Sequence, residues 1–358
     1  RGIQAQREYY VSMCPMRLLP KLFQFDEDEL APELRAQRQL NRARIPELSR
    51  YITENVDNYV FSAITVSIDA DIAFSPLPGQ GEEQRIGILK VPMSARFIIN
   101  DGQHRRAAIE VALQNNPELG DETIAVVFFM DKGLERCQQM FADLNRYAIR
   151  PSTSLSILYD YRDETARLVK SLIAGSDIFR DVVELEKTSL APRSRRLFTL
   201  SAIYHATNEL LSGQGESTPE EAARFALEFW EAVAEQMDEW NAVRRGDLTA
   251  GEVRKDFIHT HGLVLQALAR SGRALVISCP DTWQERLTGL KNIDWRRANS
   301  ELWEGRALLG GQLSKAHQNV ILTANAIKKE LELELTEDEL RVESAFSRGS
   351  QGGERARA

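Results

Sequence analysis

The sequence predicts an α/β domain over residues 1–150, an α-helical domain over 151–345, and a polar, disordered tail over 346–358. Three observations carry this expectation. Before Pro151, strand-like and helix-like segments alternate, the pattern of a small sheet covered by helices. "TIAVVFFM" (123–130) is a continuous apolar run, as in a strand buried on both faces. After Pro151, helical periodicities separated by short loops take over.

Residues 28–58 read as mostly helical, because Ile45, Leu48, Tyr51 and Ile52 recur at three- and four-residue spacing. "YVFSAITVSID" (59–69) is rich in β-branched and aromatic residues and predicts a strand. The turn-rich "SPLPGQGEE" (75–83) leads into two short strands, "RIGILKVP" and "ARFIIN". A helix follows over about 103–116, then the apolar strand 123–130, and Asp131 is placed to cap a helix running to about Asn145. In the second half, "SLSILYDYRDETARLVKSLI", "LFTLSAIYHATNELL", "TPEEAARFALEFWEAVAEQM" and "KDFIHTHGLVLQALARSG" are helical, with a last helix near 317–333. Trp295 and Trp303 are expected to pin the C-terminal helices to the core.

Composition narrows the class. At 43% hydrophobic and 27% charged residues the chain is an ordinary globular one. Its apolar runs are far too short to span a bilayer, so no membrane partner is expected. The chain starts at Arg1, and its native start, with any short targeting segment, is expected upstream. Cys14, Cys137 and Cys279 are odd in number and form no CxxC pair, which argues against a disulfide framework or a cysteine-rich zinc site and fits a reducing cytoplasm. The net charge of -8 repels phosphate, so contact with nucleic acid requires local basic patches.

The most unusual stretch is "FIINDGQHRRAAIEVALQ" (97–114), where Asp101-Gly102 turns a strand into a helix. Gln103, His104, Arg105 and Arg106 fill the first helical turn, although the helix dipole places partial positive charge there. A bound anion would explain them, since free N–H groups and two guanidiniums suit phosphate. A core histidine flanked by solvated arginines explains them equally well. A second junction, "ADLNRYAIRPSTS" (142–154), places Asn145, Arg146 and Arg150 beside the natural cap residues Ser152 and Thr153. If both junctions meet at one sheet edge they make a polyphosphate-sized pocket. Otherwise the second is a domain junction with ordinary capping.

These residues carry a resemblance. "FIINDGQHRRAAI", with "QRQLNRARIPELSRYITENVDNYVFSAITVSID", "FADLNRYAIRPSTSLSILYDYRD" and "IDWRRANSELWEGRAL", resembles the DGQHR-domain proteins, and within them the DndB family of DNA sulfur modification (phosphorothioation) proteins. More remotely, the strand–DGQHRRAAI turn and the later Asn/Arg segment are similar to the ParB/sulfiredoxin superfamily, in which such elements cradle nucleotide phosphates. Gln103 and His104 stand where ParB proteins carry Glu and Arg. The resemblance implies a ParB/sulfiredoxin-like first domain with a small mixed sheet. It also implies a bacterial cytoplasmic protein that binds double-stranded DNA at the promoter of the modification genes, as a negative transcriptional regulator or accessory factor. Other phosphorothioation proteins and a second copy of the chain are the further partners it implies.

The best DNA contacts in the sequence are Arg193, Arg195 and Arg196 in "APRSRRLF", just before a helix, where arginines can grip backbone phosphates. Arg42, Arg44, Arg296 and Arg297 are weaker candidates, and a solvated loop explains any one cluster as well. An enzymatic alternative assigns ATP or CTP with Mg²⁺ to the DGQHR pocket, where His104 and Arg105 hold phosphates and Asp101 or Asn145 places metal or water. A protein-interaction scaffold with a merely structural basic turn is the third reading. His259 and His261 split across helix faces at their two-residue spacing, which disfavours a metal site, and Cys14 reads as a structural thiol.

Overall fold

The structure, a computed structural model, describes residues 1–23, 41–130, 134–146, 151–213, 217–314 and 316–355. Contacts divide the chain into two units, Arg1–Ile149 and Arg150–Ala358.

The strands of the first unit are β1 (Gly2–Gln4), β2 (Arg7–Pro15), β3 (Ile64–Asp69), β4 (Ala73–Pro76), β5 (Gly87–Lys90), β6 (Arg96–Asp101) and β7 (Thr123–Met130). Its helices include α1 (Ile45–Glu54), α2 (Gln103–Asn115) and α3 (Leu134–Arg146). A mixed sheet runs in the order β1-β2-β7-β3-β6. β3 and β7 are parallel, with Ile64 opposite Val126, and the other neighbours are antiparallel. β4 and β5 form a separate antiparallel pair. Period-two alternation puts Ile64, Val66 and Ile68 on the same buried face as Ile124, Val126 and Phe128, against Ile52 of α1 and Ile109 and Ala112 of α2.

β7 departs from the expectation of burial on both faces. Ala125, Val127 and Phe129 are only half-buried. They are apolar because the second face is partly covered: Phe129 stacks on Tyr9 of β2 with ring centroids 5.7 Å apart. Residues 28–40 of the expected helical segment, and Asp131, expected as a cap, lie outside the described residues.

The second unit contains α4 (Thr153–Tyr159), α5 (Glu164–Gly175), α6 (Leu200–Leu211), α7 (Pro219–Ala234), α8 (Asp238–Arg245), α9 (Ala250–Asp256), α10 (Gly262–Ser278), α11 (His317–Glu330) and α12 (Glu337–Arg355). Thr218 with Glu221, and Thr249 with Glu252, close capping boxes at the starts of α7 and α9. Helices dominate this unit, but two-residue strand pairs, Val183–Glu184 with Phe198–Thr199 and Leu308–Leu309 with Gln312–Leu313, tie its loops together. α10 packs on both α6 and α11. Gly272 in α10 is required by close packing, since a Cβ there would lie 2.1 Å from the Phe229 ring. Trp295 and Trp303 are buried and stack at 5.4 Å, as expected of core anchors.

The C-terminal end differs from the sequence expectation. α12 continues to Arg355, through most of the segment read as a disordered tail, and residues 356–358 lie outside the described residues. Charge holds its first half. Glu339 accepts from the buried Lys328 at 2.8 Å and from Arg270 at 3.2 Å, and Glu343 takes Arg306 in a two-pronged pair at 2.6 and 2.9 Å. Among the described residues, no helix is long and apolar enough to cross a membrane.

Candidate functional site

β6 passes into α2 through Gly102, whose φ of 103° lies in the left-handed region that favours glycine. A Cβ there would also stand 3.0 Å from Arg105 Nη2 and 3.1 Å from Ile64 Cγ1. Arg105 folds back from the first turn. Its Nη2 donates to the Asp101 carboxylate and, at 3.2 Å, to the Ala63 carbonyl, while Nη1 donates to the Ser62 hydroxyl. Arg106 pairs with Glu110 at 2.7 Å, one turn further on. Their side chains are only 18% and 12% exposed. Each cation set against the helix dipole is thus matched by a carboxylate, and Arg105 ties the β6–α2 turn to the residues that lead into β3.

His104 accepts a hydrogen bond at Nε2 from the Asn41 N–H at 2.9 Å, which leaves its proton on Nδ1. Burial lowers its pKa, and the charge of Arg44 and then Arg105 lowers it further against the opposing pull of Asp101. At neutral pH this ring is therefore a hydrogen-bonding spacer rather than a cation. Gln103 begins the helix half-buried, and no side chain caps the first-turn N–H groups.

The second junction is placed differently. Arg146 is exposed in the last turn of α3, where the helix dipole favours a cation. The Asn145 side chain and Arg150 lie outside what is described. Ser152 belongs to the second unit and caps α4, accepting from the Leu155 N–H at 3.1 Å and donating to the Glu186 carbonyl. Thr153 is the first residue of that helix.

The arginine loop before α6 is built by a residue the sequence reading did not single out. Arg254 of α9 donates through Nη2 to the carbonyls of Ala191 (2.8 Å) and Pro192 (3.1 Å), and through Nη1 to those of Ser194 (3.1 Å) and Arg196. One guanidinium thereby gathers four carbonyls of a loop that has no regular structure to satisfy them. Arg196 is also committed, since its Nη1 donates to the Asp181 carbonyl. Arg193 and Arg195 are exposed and make no hydrogen bond or ion pair among the described residues. They line a surface concavity shared with Leu248, Lys255 of α9 and Glu252, whose carboxylate accepts from Thr249. The loop presents two free guanidiniums rather than three. Arg254 was not legible because its acceptors lie 58 to 63 residues away in sequence.

The remaining candidates resolve into structure. His259 is buried, with Nδ1 accepting from Trp240 Nε1 at 2.9 Å and Nε2 facing the Glu239 carboxylate at 3.2 Å, so both ring nitrogens are used. Burial lowers its pKa more than Glu239 raises it. His261 caps α10, its Nδ1 accepting from the Leu263 N–H at 3.4 Å. Among the described residues, no group of three histidine, cysteine or carboxylate side chains is placed to hold a metal. Cys14 is buried in β2, and burial pushes its thiol pKa up, away from the reactive thiolate. Arg296 is paired with Asp294.

Comparison with known proteins adds the family. No curated protein and no solved structure matches the chain. The model of the family described as DndB, DNA-sulfur modification-associated, matches residues 1–334 of the 358 and so spans both units, the DGQHR turn and the arginine loop. The chain belongs to the DndB family of DNA-sulfur modification-associated proteins.

Proposed function

We propose that the chain binds double-stranded DNA as a regulator or accessory factor of DNA phosphorothioation, with the promoter of the modification genes as its target. One observation carries this reading: in a chain of net charge -8, Arg193 and Arg195 stand exposed and unpaired on a loop that Arg254 holds in shape. Two unpaired guanidiniums on a pre-shaped loop suit phosphate oxygens, which position a protein on DNA without reading its sequence. Membership in a family associated with DNA sulfur modification supplies the context. The DGQHR turn supports phosphate binding less well, because Asp101 and Glu110 already neutralise its arginines. The likeness to ParB/sulfiredoxin proteins therefore supports a shared strand–turn–helix frame more than a shared phosphate cradle.

The test is a gel-shift titration of promoter DNA from the modification genes and of a scrambled duplex of equal length. The parent should prefer the promoter, and R193A/R195A should weaken both complexes together, since phosphate contacts carry no base code. Equal binding of both duplexes by the parent would remove the regulator reading.

A further inference from the structure

A cavity of about 560 Å³ lies within the second unit. Three helices begin at its wall: α6 at Thr199 and Ser201, α10 at His261 and Gly262, and α11 at Ser314 and His317. Gly262 permits the first two starts to converge, because even a Cβ there would come within 3.3 Å of the Ala202 Cβ. Helix starts present unpaired N–H groups and partial positive charge. α11, 14 residues long, has no side-chain cap. Arg254 and Arg297 add two guanidiniums, and His205 and His317 add imidazoles with no hydrogen bond among the described residues. No carboxylate lines the cavity among the described residues.

Two polar side chains there have donors that no protein group takes up among the described residues, the kind of group a bound polar ligand satisfies. Thr260 lines the cavity, is only 7% exposed, and its hydroxyl makes no hydrogen bond among the described residues. The Arg297 Nε is buried and unsatisfied, and that guanidinium makes a single long contact, 3.5 Å from Nη2 to the Arg254 carbonyl. The DGQHR arginines are paired with acids. Arg297 is not, and its half-buried guanidinium is a charge that a bound anion compensates. Leu190, Leu197, Phe257 and Val320 add apolar lining. The volume lies in the range of small-molecule sites.

We propose that this cavity binds a free nucleotide, its phosphates at the three helix starts and Arg297, and its nucleoside against the apolar lining. The inference is separate from the DNA reading, since it uses neither Arg193 nor Arg195. It also moves nucleotide binding from the DGQHR turn to the helical unit.

The experiment is thermal stabilisation and titration calorimetry on the full chain, with ATP, CTP, inorganic phosphate, adenosine and a short single-stranded oligonucleotide as probes. Nucleotides should raise the melting temperature and adenosine should not, since binding to the folded state alone stabilises it. R297Q should weaken nucleotide binding about tenfold or more, as expected for loss of a charge-assisted contact. H317Q, at an exposed ring with no partner, should weaken it without lowering the unliganded melting temperature. H104Q should leave binding unchanged, and R193A/R195A should lose DNA while keeping nucleotide. The proposal is overturned if no nucleotide stabilises the chain, or if R297Q and H317Q both bind as the parent does. It is equally overturned if H104Q abolishes binding, or if only the oligonucleotide binds.

Discussion

The salt dependence of DNA binding tests the arginine loop most directly, because the structure sets how many charges it contributes. Each phosphate contact adds about -0.9 to the slope of log K against log salt on B-DNA. Three free arginines would contribute about -2.7 per subunit. Arg196 is spent on the Asp181 carbonyl, so Arg193 and Arg195 contribute about -1.8 per subunit, twice that in a dimer. Between about 50 and 200 mM salt, this part of the affinity falls about 12-fold per subunit. The assay is fluorescence anisotropy of a labelled promoter duplex across a salt series. R193A/R195A should flatten the slope by about 1.8 per subunit. R196A should leave the slope unchanged and lower the melting temperature instead, because its guanidinium holds the loop to residue 181. If R196A flattens the slope as much as the double variant, or if the double variant keeps the parent's slope, the division between free and committed arginines is wrong.

Other consequences concern the frame around the sites. E343Q should cost about 3 kcal/mol in denaturant unfolding, because it strips the countercharge from Arg306, whose side chain is 12% exposed. Burial alone would raise the Glu343 pKa, but hydrogen bonds from Arg306, Lys329 and Asn325 outweigh it and hold the value at about 2. Since the folded pKa is depressed, the stabilisation is complete above about 4.5, the unfolded value, and fades as pH falls towards 2. Parent and E343Q should therefore converge in stability over that window, and a gap that stays constant down to pH 2 contradicts the pairing. G102V should lower stability by about 1–3 kcal/mol, from its left-handed φ and from the crowding of Arg105 and Ile64, and a parental melting temperature would show that the turn is not strained. His259 is held below its usual 6.5 by burial, so its contribution is present above that pH and is lost as pH falls and the unfolded chain takes up the proton. H259N should flatten the fall in stability below pH 6.5, and an unchanged profile would place the acid sensitivity elsewhere.

Much of the first unit was legible because its signals are local. β3, β6 and α2 fall within a few residues of the positions that β-branched runs and Asp-Gly indicate. β2 was not legible, because Tyr9 and Val11 on one face and Tyr10 and Cys14 on the other leave no polar alternation. α12 misled for the opposite reason. Its polar, glycine-containing residues have weak helix propensity, and tertiary ion pairs at Glu339 and Glu343 anchor the start of the helix. Of the candidate sites, the Arg106–Glu110 pair could be read from its four-residue spacing, whereas the bonds of Arg105 to Ser62 and Ala63 span more than forty residues. The cavity at the starts of α6, α10 and α11 draws on segments more than a hundred residues apart, and nothing local announces it.

Counting cations by type alone misplaces the anion chemistry of this chain. An arginine attracts phosphate only to the extent that its charge is not already answered, and the DGQHR turn, the most conspicuous basic stretch in the sequence, is where the answering carboxylates are nearest. Its arginines work inward, fixing a strand, a left-handed glycine and a helix in one arrangement. At the helical unit the relation reverses. Arg193 and Arg195 face outward with no ion pair among the described residues, and Arg297 lines a cavity that no carboxylate lines among them. A net charge of -8 makes the cavity more telling, since acids outnumber bases across the chain and none lines it among the described residues. Both regions adjoin Arg254, which shapes the loop with its guanidinium and lines the cavity as well. If the cavity fills with an anion, the charge around Arg254 changes while the same side chain holds the carbonyls beneath Arg193 and Arg195. A ligand in the cavity and DNA on the loop would then meet at one side chain, which is the physical requirement for either to alter the affinity of the other.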